Sequence, residues 1–331
     1  MKHIAGGESF EGIAWRVSFQ TTEGVRYVWE GEFEQRQVTP HRNGLEHAIR
    51  LLHEAIDERG HRIAARVLDK VLFDGRETIR LSREKSLLVL LEEDFAIQLK
   101  REFSQIVLSD YSQGRTDGEG WFHMSDRAVF DEKPSIDQVR ASHLGTLAKL
   151  SWAFHLQDPL FFLVRERFIE IFPQVADMKF LLPEGEGFRS LPPEVHDVYI
   201  KEQGVTDWIA MPSISSGMMR TLIHLSELYL SAEGTLFLID EFENSLGVNC
   251  IDELTADILQ SDRSLQFIIT SHHPYIIHAI GFPHWEIVTR TGGVVKTLSA
   301  TELNLGRSKH DAFMQLLQRV EYQTGTESVR P

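Results

Sequence analysis

The sequence predicts an α/β fold, with a parallel sheet and helical crossovers in the C-terminal half and an antiparallel β lobe near the start. Three observations predict it. From about residue 206 the pattern runs helix, strand, helix, strand. The strands at Thr235 to Ile239 and Leu265 to Ile269 are short continuous apolar runs, typical of strands covered on both faces and paired in parallel. Near the start, Ile13, Trp15, Val17 and Phe19 alternate with smaller or polar residues, as do Val25, Tyr27 and Trp29, which predicts a hairpin turning at Thr21 to Gly24.

The remaining elements follow in order. Leu45 to Leu52 and Ser86 to Val107 have helical spacing, and Asp74-Gly75 is a turn between Val71 to Phe73 and Thr78 to Leu81. Residues 135 to 205 read as mostly helical. Ser135 and Gln138 form a capping box, and Asp158-Pro159 opens a helix that stops near Pro173. Leu182 to Glu194, rich in proline and glycine, reads as a surface loop between lobes. Ser216 to Leu230 and Asn249 to Leu259 are helices, and Trp285 to Arg290 with Val294 to Leu298 form a closing strand pair.

Composition narrows the class but not the chemistry. Lys+Arg number 34 against 49 Asp+Glu, a net charge of −15, which argues against a nucleic-acid-coated surface and leaves only a local basic patch open. The single Cys250 excludes a disulfide framework and a multi-cysteine zinc site, which fits a reducing cytoplasm. The longest apolar stretches fall short of the roughly 18 residues that span a bilayer, and no signal-like run follows Met1.

Ligands of parallel sheets collect at the carboxyl ends of the strands. After the first strand stand Asp240 and Glu241. Two carboxylates there are costly if buried without a cation; hydrated Mg2+ beside Asp240 would compensate them, whereas two solvated acids need nothing. After the second strand comes Thr270-Ser271-His272-His273-Pro274, where a histidine can donate to a phosphate or serve a structural role. The spacing of His272, His273, His278 and His284 matches no His-Glu-x-x-His zinc pattern. Ser215-Ser216-Gly217 opens a helix whose N–H groups could meet an anion, or Ser215 is an ordinary N-cap.

The order and spacing of these three segments resemble the C-terminal half of an ABC-type ATPase head. That group holds the SMC chromosome-maintenance ATPases, the double-strand-break-repair ATPases and the AAA-type bacterial ATPases of anti-phage and OLD-like systems. Ser215 to Arg220 is similar to the signature motif, and LFLIDE (Leu236 to Glu241) to Walker B plus the catalytic glutamate. Glu243-Asn244-Ser245-Leu246 is similar to the D-loop, and FIITSHHP (Phe267 to Pro274) to the switch-histidine strand, with His273 where Ser is usual. The resemblance implies a P-loop NTPase organised as an antiparallel lobe with helices (1–110), a helical lobe and linker (111–205), an ATPase core (206–300) and a tail (301–331).

It also implies a homodimer sandwiching ATP and Mg2+. Asp240 would hold the metal's water shell, Glu241 would activate water and His272 would read the γ-phosphate. Ser215, Ser216 and Gly217 would meet nucleotide bound by the partner chain, with Asn244 and Ser245 coupling the two sites. Arg220 would contact phosphate or pair with an acid of its own helix. One part of the family pattern is missing. Gly-x-x-x-x-Gly-Lys-[Ser/Thr] needs a Gly-Lys dipeptide, and none occurs in the chain; Gly6-Gly7-Glu8-Ser9 and Gly114 to Gly120 lack the lysine and carry acids. The expectation is a head that begins after its P-loop, the alternative a degenerate ATPase serving as a scaffold. A nuclease would have to come from a partner, since only about 30 residues follow the last strand pair.

Overall fold

The computed structural model describes residues 1–35, 49–78, 80–109, 130, 133–182, 193, 196–291, 294–306 and 308–325. The chain divides into two compact units. The first comprises Met1–Leu108, Ala232–Leu238 and Ser264–Phe267; the second comprises Ser109–Ser231, Ile239–Arg263 and Ile268–Pro331.

The first unit begins with a short helix, α1 (Lys2–Ala5). A six-stranded antiparallel meander follows: β1 (Ala14–Gln20), β2 (Arg26–Phe33), β3 (Leu51–Glu58), β4 (His61–Val67), β5 (Lys70–Phe73) and β6 (Arg76–Glu77). The predicted first hairpin is β1–β2, with Val17 opposite Trp29 and Phe19 opposite Tyr27. Trp15 lies across Gly31, where a Cβ would come within 2.4 Å of the indole, so only glycine fits that close approach. Asp74 and Gly75 both have positive φ (47° and 74°), as a type I′ turn requires.

Helices α2 (Leu87–Leu90) and α3 (Asp94–Ser104) cover the meander, and strand β7 (Ile106–Ser109) follows. The continuous helix expected over 86–107 is therefore interrupted. Leu91 is extended (ψ 136°), and the acids Glu93 and Asp94 start a second helix, where negative charge favours the helix N-terminus. The helix expected over 45–52 is also corrected: Leu51 and Leu52 open β3, and residues 45–48 lie outside the described residues. An apolar pair fits either periodicity, and pairing with β2 decided it.

In the second unit come α4 (Ile136–Ala141), α5 (Thr146–Leu156) and α6 (Pro159–Ile171). Ser135 and Gln138 form the expected capping box, and Asp158 caps α6 with Pro159 in its first turn. The middle is less helical than the sequence suggested: β8 (Val175–Leu181), β9 (Asp197–Glu202) and β10 (Ile209–Ala210) form an antiparallel sheet. Most of the expected inter-lobe loop, 183–192 and 194–195, lies outside the described residues, as does the glycine-rich stretch 114–120.

The helix–strand alternation then appears as α7 (Ser216–Leu230), β11 (Leu236–Ile239), α8 (Val248–Gln260), β12 (Gln266–Ile269) and α9 (Pro274–Ala279). A three-stranded sheet runs in the order β12–β11–β7. Gln266 N–H donates to Thr235 O at 3.0 Å and Thr270 N–H to Ile239 O at 2.9 Å, so the bonds advance in the same sense along β11 and β12, as in a parallel pair. Helix α7 is buried on almost every face, from Met218 to Leu228, the pattern of a central helix. Arg167 of α6 bonds Glu253 and Asp257 of α8 at 2.5 and 2.9 Å, which fixes the helix leaving the Asn244–Ser245 turn. The hairpin of β13 (Glu286–Thr291) and β14 (Val294–Ser299) packs with α10 (Lys309–Leu317) around a small core of Trp285, Ile287 and Leu303. The last helix is α11 (Val320–Thr324).

Candidate functional site

All eight residues expected at the site lie in the second unit, at the N-terminus of α7 and the carboxyl ends of β11 and β12. Ser215 is the N-cap of α7, its hydroxyl oxygen accepting from Met218 N–H at 3.2 Å. The cap reading of Ser215 thus holds, and it leaves the hydroxyl proton available to a further acceptor. Gly217 meets the Asn244–Ser245 turn so closely that a Cβ would lie 2.8 Å from the Ser245 carbonyl oxygen. The glycine is required by this approach, and the signature-like and D-loop-like segments are in direct contact.

Glu241 is where the segments converge. It has a left-handed backbone (φ 46°), unusual for a residue with a side chain and worth roughly 1–2 kcal/mol of strain. Three elements hold it there. Thr270 Oγ1, after β12, accepts the Glu241 N–H at 2.8 Å. The buried guanidinium of Arg220, from α7, donates to Glu241 O at 3.0 Å and to Asp240 O at 3.4 Å. Asn244 N–H donates to the same Glu241 oxygen at 2.8 Å. Strain persists only where the surroundings over-determine it, and here they aim an exposed carboxylate into solvent.

Thr270 does a second job. Its hydroxyl donates to Asp240 Oδ1, so one side chain fixes both the Asp240 carboxylate and the Glu241 backbone. Asp240 and Glu241 are both exposed, so burial demands no cation beside them, and geometry alone bears on the question. An exposed, oriented carboxylate at a strand's carboxyl end fits Mg2+, which keeps most of its waters and takes one or two carboxylates alongside substrate phosphates. Among the described residues no cluster of three or more His, Cys, Asp or Glu could enclose a metal by itself.

His272 is exposed and His273 precedes α9 as its N-cap. Glu243 accepts from His272 N–H at 2.9 Å and lies 3.0 Å from His272 Nδ1. Burial alone would raise the Glu243 carboxyl. Hydrogen bonds from its own N–H, the His272 N–H and the Ser271 hydroxyl, with the charge of His272, bring it below its ordinary value instead. Ser245 also has a left-handed backbone (φ 65°), and its hydroxyl lies 3.3 Å from Asn244 Oδ1. Beneath the site, Phe242 is buried against His224 of α7, and His224, Glu227 and Ser109 form a buried hydrogen-bonded chain.

Sequence reasoning did not choose Thr270 as a site residue, placed Glu243 in the D-loop-like segment without pairing it with His272, and did not foresee that Arg220 would hold two backbone carbonyls. A threonine closing a buried strand beside two acids was the available signal for Thr270. Contacts to backbone oxygens leave no mark in a sequence.

Among solved structures, an SMC ATPase from work on ATP-driven dimerization and DNA-stimulated activation aligns with 18% identity, covering 47% of this chain and 86% of that chain at a TM-score of 0.34. An Smc head bound to the C-terminal winged-helix domain of ScpA aligns with 14% identity over 85% and 76% at a TM-score of 0.43. An Smc head with coiled coil and joint from Pyrococcus yayanosii aligns with 19% identity over 51% and 30% at a TM-score of 0.35. No curated protein matches the sequence. No helix among the described residues is long and apolar enough to cross a membrane. Residues 4–278 match the family described as AAA domain, putative AbiEii toxin, Type IV TA system, so the chain, a mixed α/β fold, belongs to this AAA-domain family.

Proposed function

We propose that the chain is an ABC-type ATPase head that binds and hydrolyses ATP with Mg2+ in a homodimer. The observation that carries this is the strained Glu241, held by groups from α7, from the Asn244–Ser245 turn and from the end of β12. When bound, Mg2+ would neutralise charge building on the transferred phosphate. Asp240 would hold the metal's water shell, Glu241 would orient the attacking water and His272 would contact the γ-phosphate. Ser215, Ser216 and the Gly217 N–H reach nucleotide carried by the partner copy, and Asn244 and Ser245 pass its state across the dimer. The Gly217–Ser245 contact supports that coupling, because it puts the two segments directly against each other. The four sequence blocks, divided after 110, 205 and 300, then correspond to the antiparallel lobe, helical lobe, ATPase core and tail. The role proposed is cytoplasmic, in anti-phage defence or repair with an effector such as a nuclease as partner; the toxin–antitoxin description of the family bears on the defence role alone.

A second reading is a pseudo-ATPase acting as a scaffold, favoured by the absence of a Gly-Lys dipeptide from the 331 residues. Calorimetric titration of the chain with Mg·ATP separates the two. The ATPase reading expects saturable binding that weakens about tenfold or more in Asp240→Asn, since charge-assisted contacts are worth roughly 1.5–3 kcal/mol. Absence of binding even in a form that carries a Gly-x-x-x-x-Gly-Lys-[Ser/Thr] segment selects the scaffold.

A further inference from the structure

The exposed imidazole of His272 is held at one edge. Its backbone N–H and its Nδ1 both meet a single oxygen, Glu243 Oε1, at 2.9 and 3.0 Å. The side chain of Glu243 is only 10% exposed, whereas that of His272 is 78% exposed. The carboxyl lies below its ordinary value, because hydrogen bonds and the His272 charge outweigh burial, so at neutral pH it is an acceptor only. A neutral imidazole carries one proton, and the nitrogen that faces a carboxylate must carry it. That leaves Nε2 as the nitrogen turned away from Glu243.

We propose that Glu243 is the positioning residue of His272, fixing the Nδ1–H tautomer and directing Nε2 outward to meet a terminal phosphate oxygen. With a proton on both nitrogens, Nε2–H can donate to that oxygen while Nδ1–H stays on the carboxylate. The identity of the anion rests on the ATPase reading; the pairing of Glu243 with His272 does not. The assignment separates the two acids of the turn: Glu241 is aimed at solvent by its backbone, and Glu243 is turned back onto the histidine.

The test is nitrogen NMR on the full chain labelled with 15N-histidine, with the His272 signals identified by their loss in His272→Gln. At alkaline pH, long-range 15N–1H correlations of the wild type are expected to show His272 protonated at Nδ1. In Glu243→Gln the preference is expected to be lost, with the Nε2–H form appearing. A wild-type His272 protonated at Nε2 overturns the proposal and needs no variant to be seen; so does an unchanged tautomer in Glu243→Gln. Adding Mg·ATP to the wild type is expected to shift the Nε2 resonance. The Nδ1–H tautomer without that shift overturns the phosphate assignment while upholding the pairing, which distinguishes failure of the ATPase reading from failure of this inference.

Discussion

At the scale of single residues, the decisive side chain is one the sequence motifs leave in the background. Thr270 accepts the Glu241 N–H and donates to Asp240, so removing its hydroxyl frees a strained backbone and the Asp240 carboxylate together. Thr270→Val keeps the shape and loses both bonds. ATP turnover is expected to fall roughly 5- to 30-fold, the equivalent of about 1–2 kcal/mol, while Thr270→Ser stays near wild type. Steady-state kinetics on the two variants check this, and equal loss in both would assign Thr270 a packing role. The positions of Asp240, Glu241 and His272 after β11 and β12 were legible in the sequence because short apolar runs mark the strands they follow. Thr270 and the grip of Arg220 were not, because their work is done on backbone atoms.

At the scale of elements, a helix, a turn and a strand end are joined as one part. The start of α7 is pressed against the Ser245 carbonyl through Gly217, and Arg220, one turn further along, holds the carbonyls at the end of β11. Gly217→Ala brings a methyl within 2.8 Å of that carbonyl, so the turn must shift. The expected cost is about 1–3 kcal/mol in denaturant unfolding, accompanied by lost activity, since the displaced turn carries Asn244 and Ser245. Periodicity located α7 and α6 well because their caps and apolar spacing agree, and α8 from its apolar spacing alone. It failed at β8 and β9, whose alternating VADMKFL and DVYIKE segments are short and stand among helices, so that their pairing with each other makes them strands. It failed again at Ser86 to Val107, where a run of acids restarts a helix the spacing alone would have continued.

At the scale of the whole molecule, the acid surplus has specific consequences. Glu243 is depressed in the folded state below its ordinary 4.5, so the unfolded chain binds more protons there. Its contribution to stability is therefore complete above about pH 4.5 and is lost as pH falls through the lower folded value. Urea unfolding across acidic pH is expected to show a shallower dependence in Glu243→Gln than in wild type; identical slopes would remove Glu243 from the account. The α/β class and the first hairpin were legible from alternation and apolar runs. The division into two units was not, since segments 232–238 and 264–267 join the first unit from far along the chain. Long-range pairing of that kind is set by the sheet rather than by local spacing.

The most direct test of the central claim, that Glu241 is held in place to activate water on ATP, is turnover and sedimentation of Glu241→Gln with Mg·ATP, beside wild type, in a form that carries the Gly-x-x-x-x-Gly-Lys-[Ser/Thr] segment. The account predicts that hydrolysis is lost while nucleotide binding persists, so that an ATP-bound dimer accumulates; unchanged turnover in Glu241→Gln would contradict it.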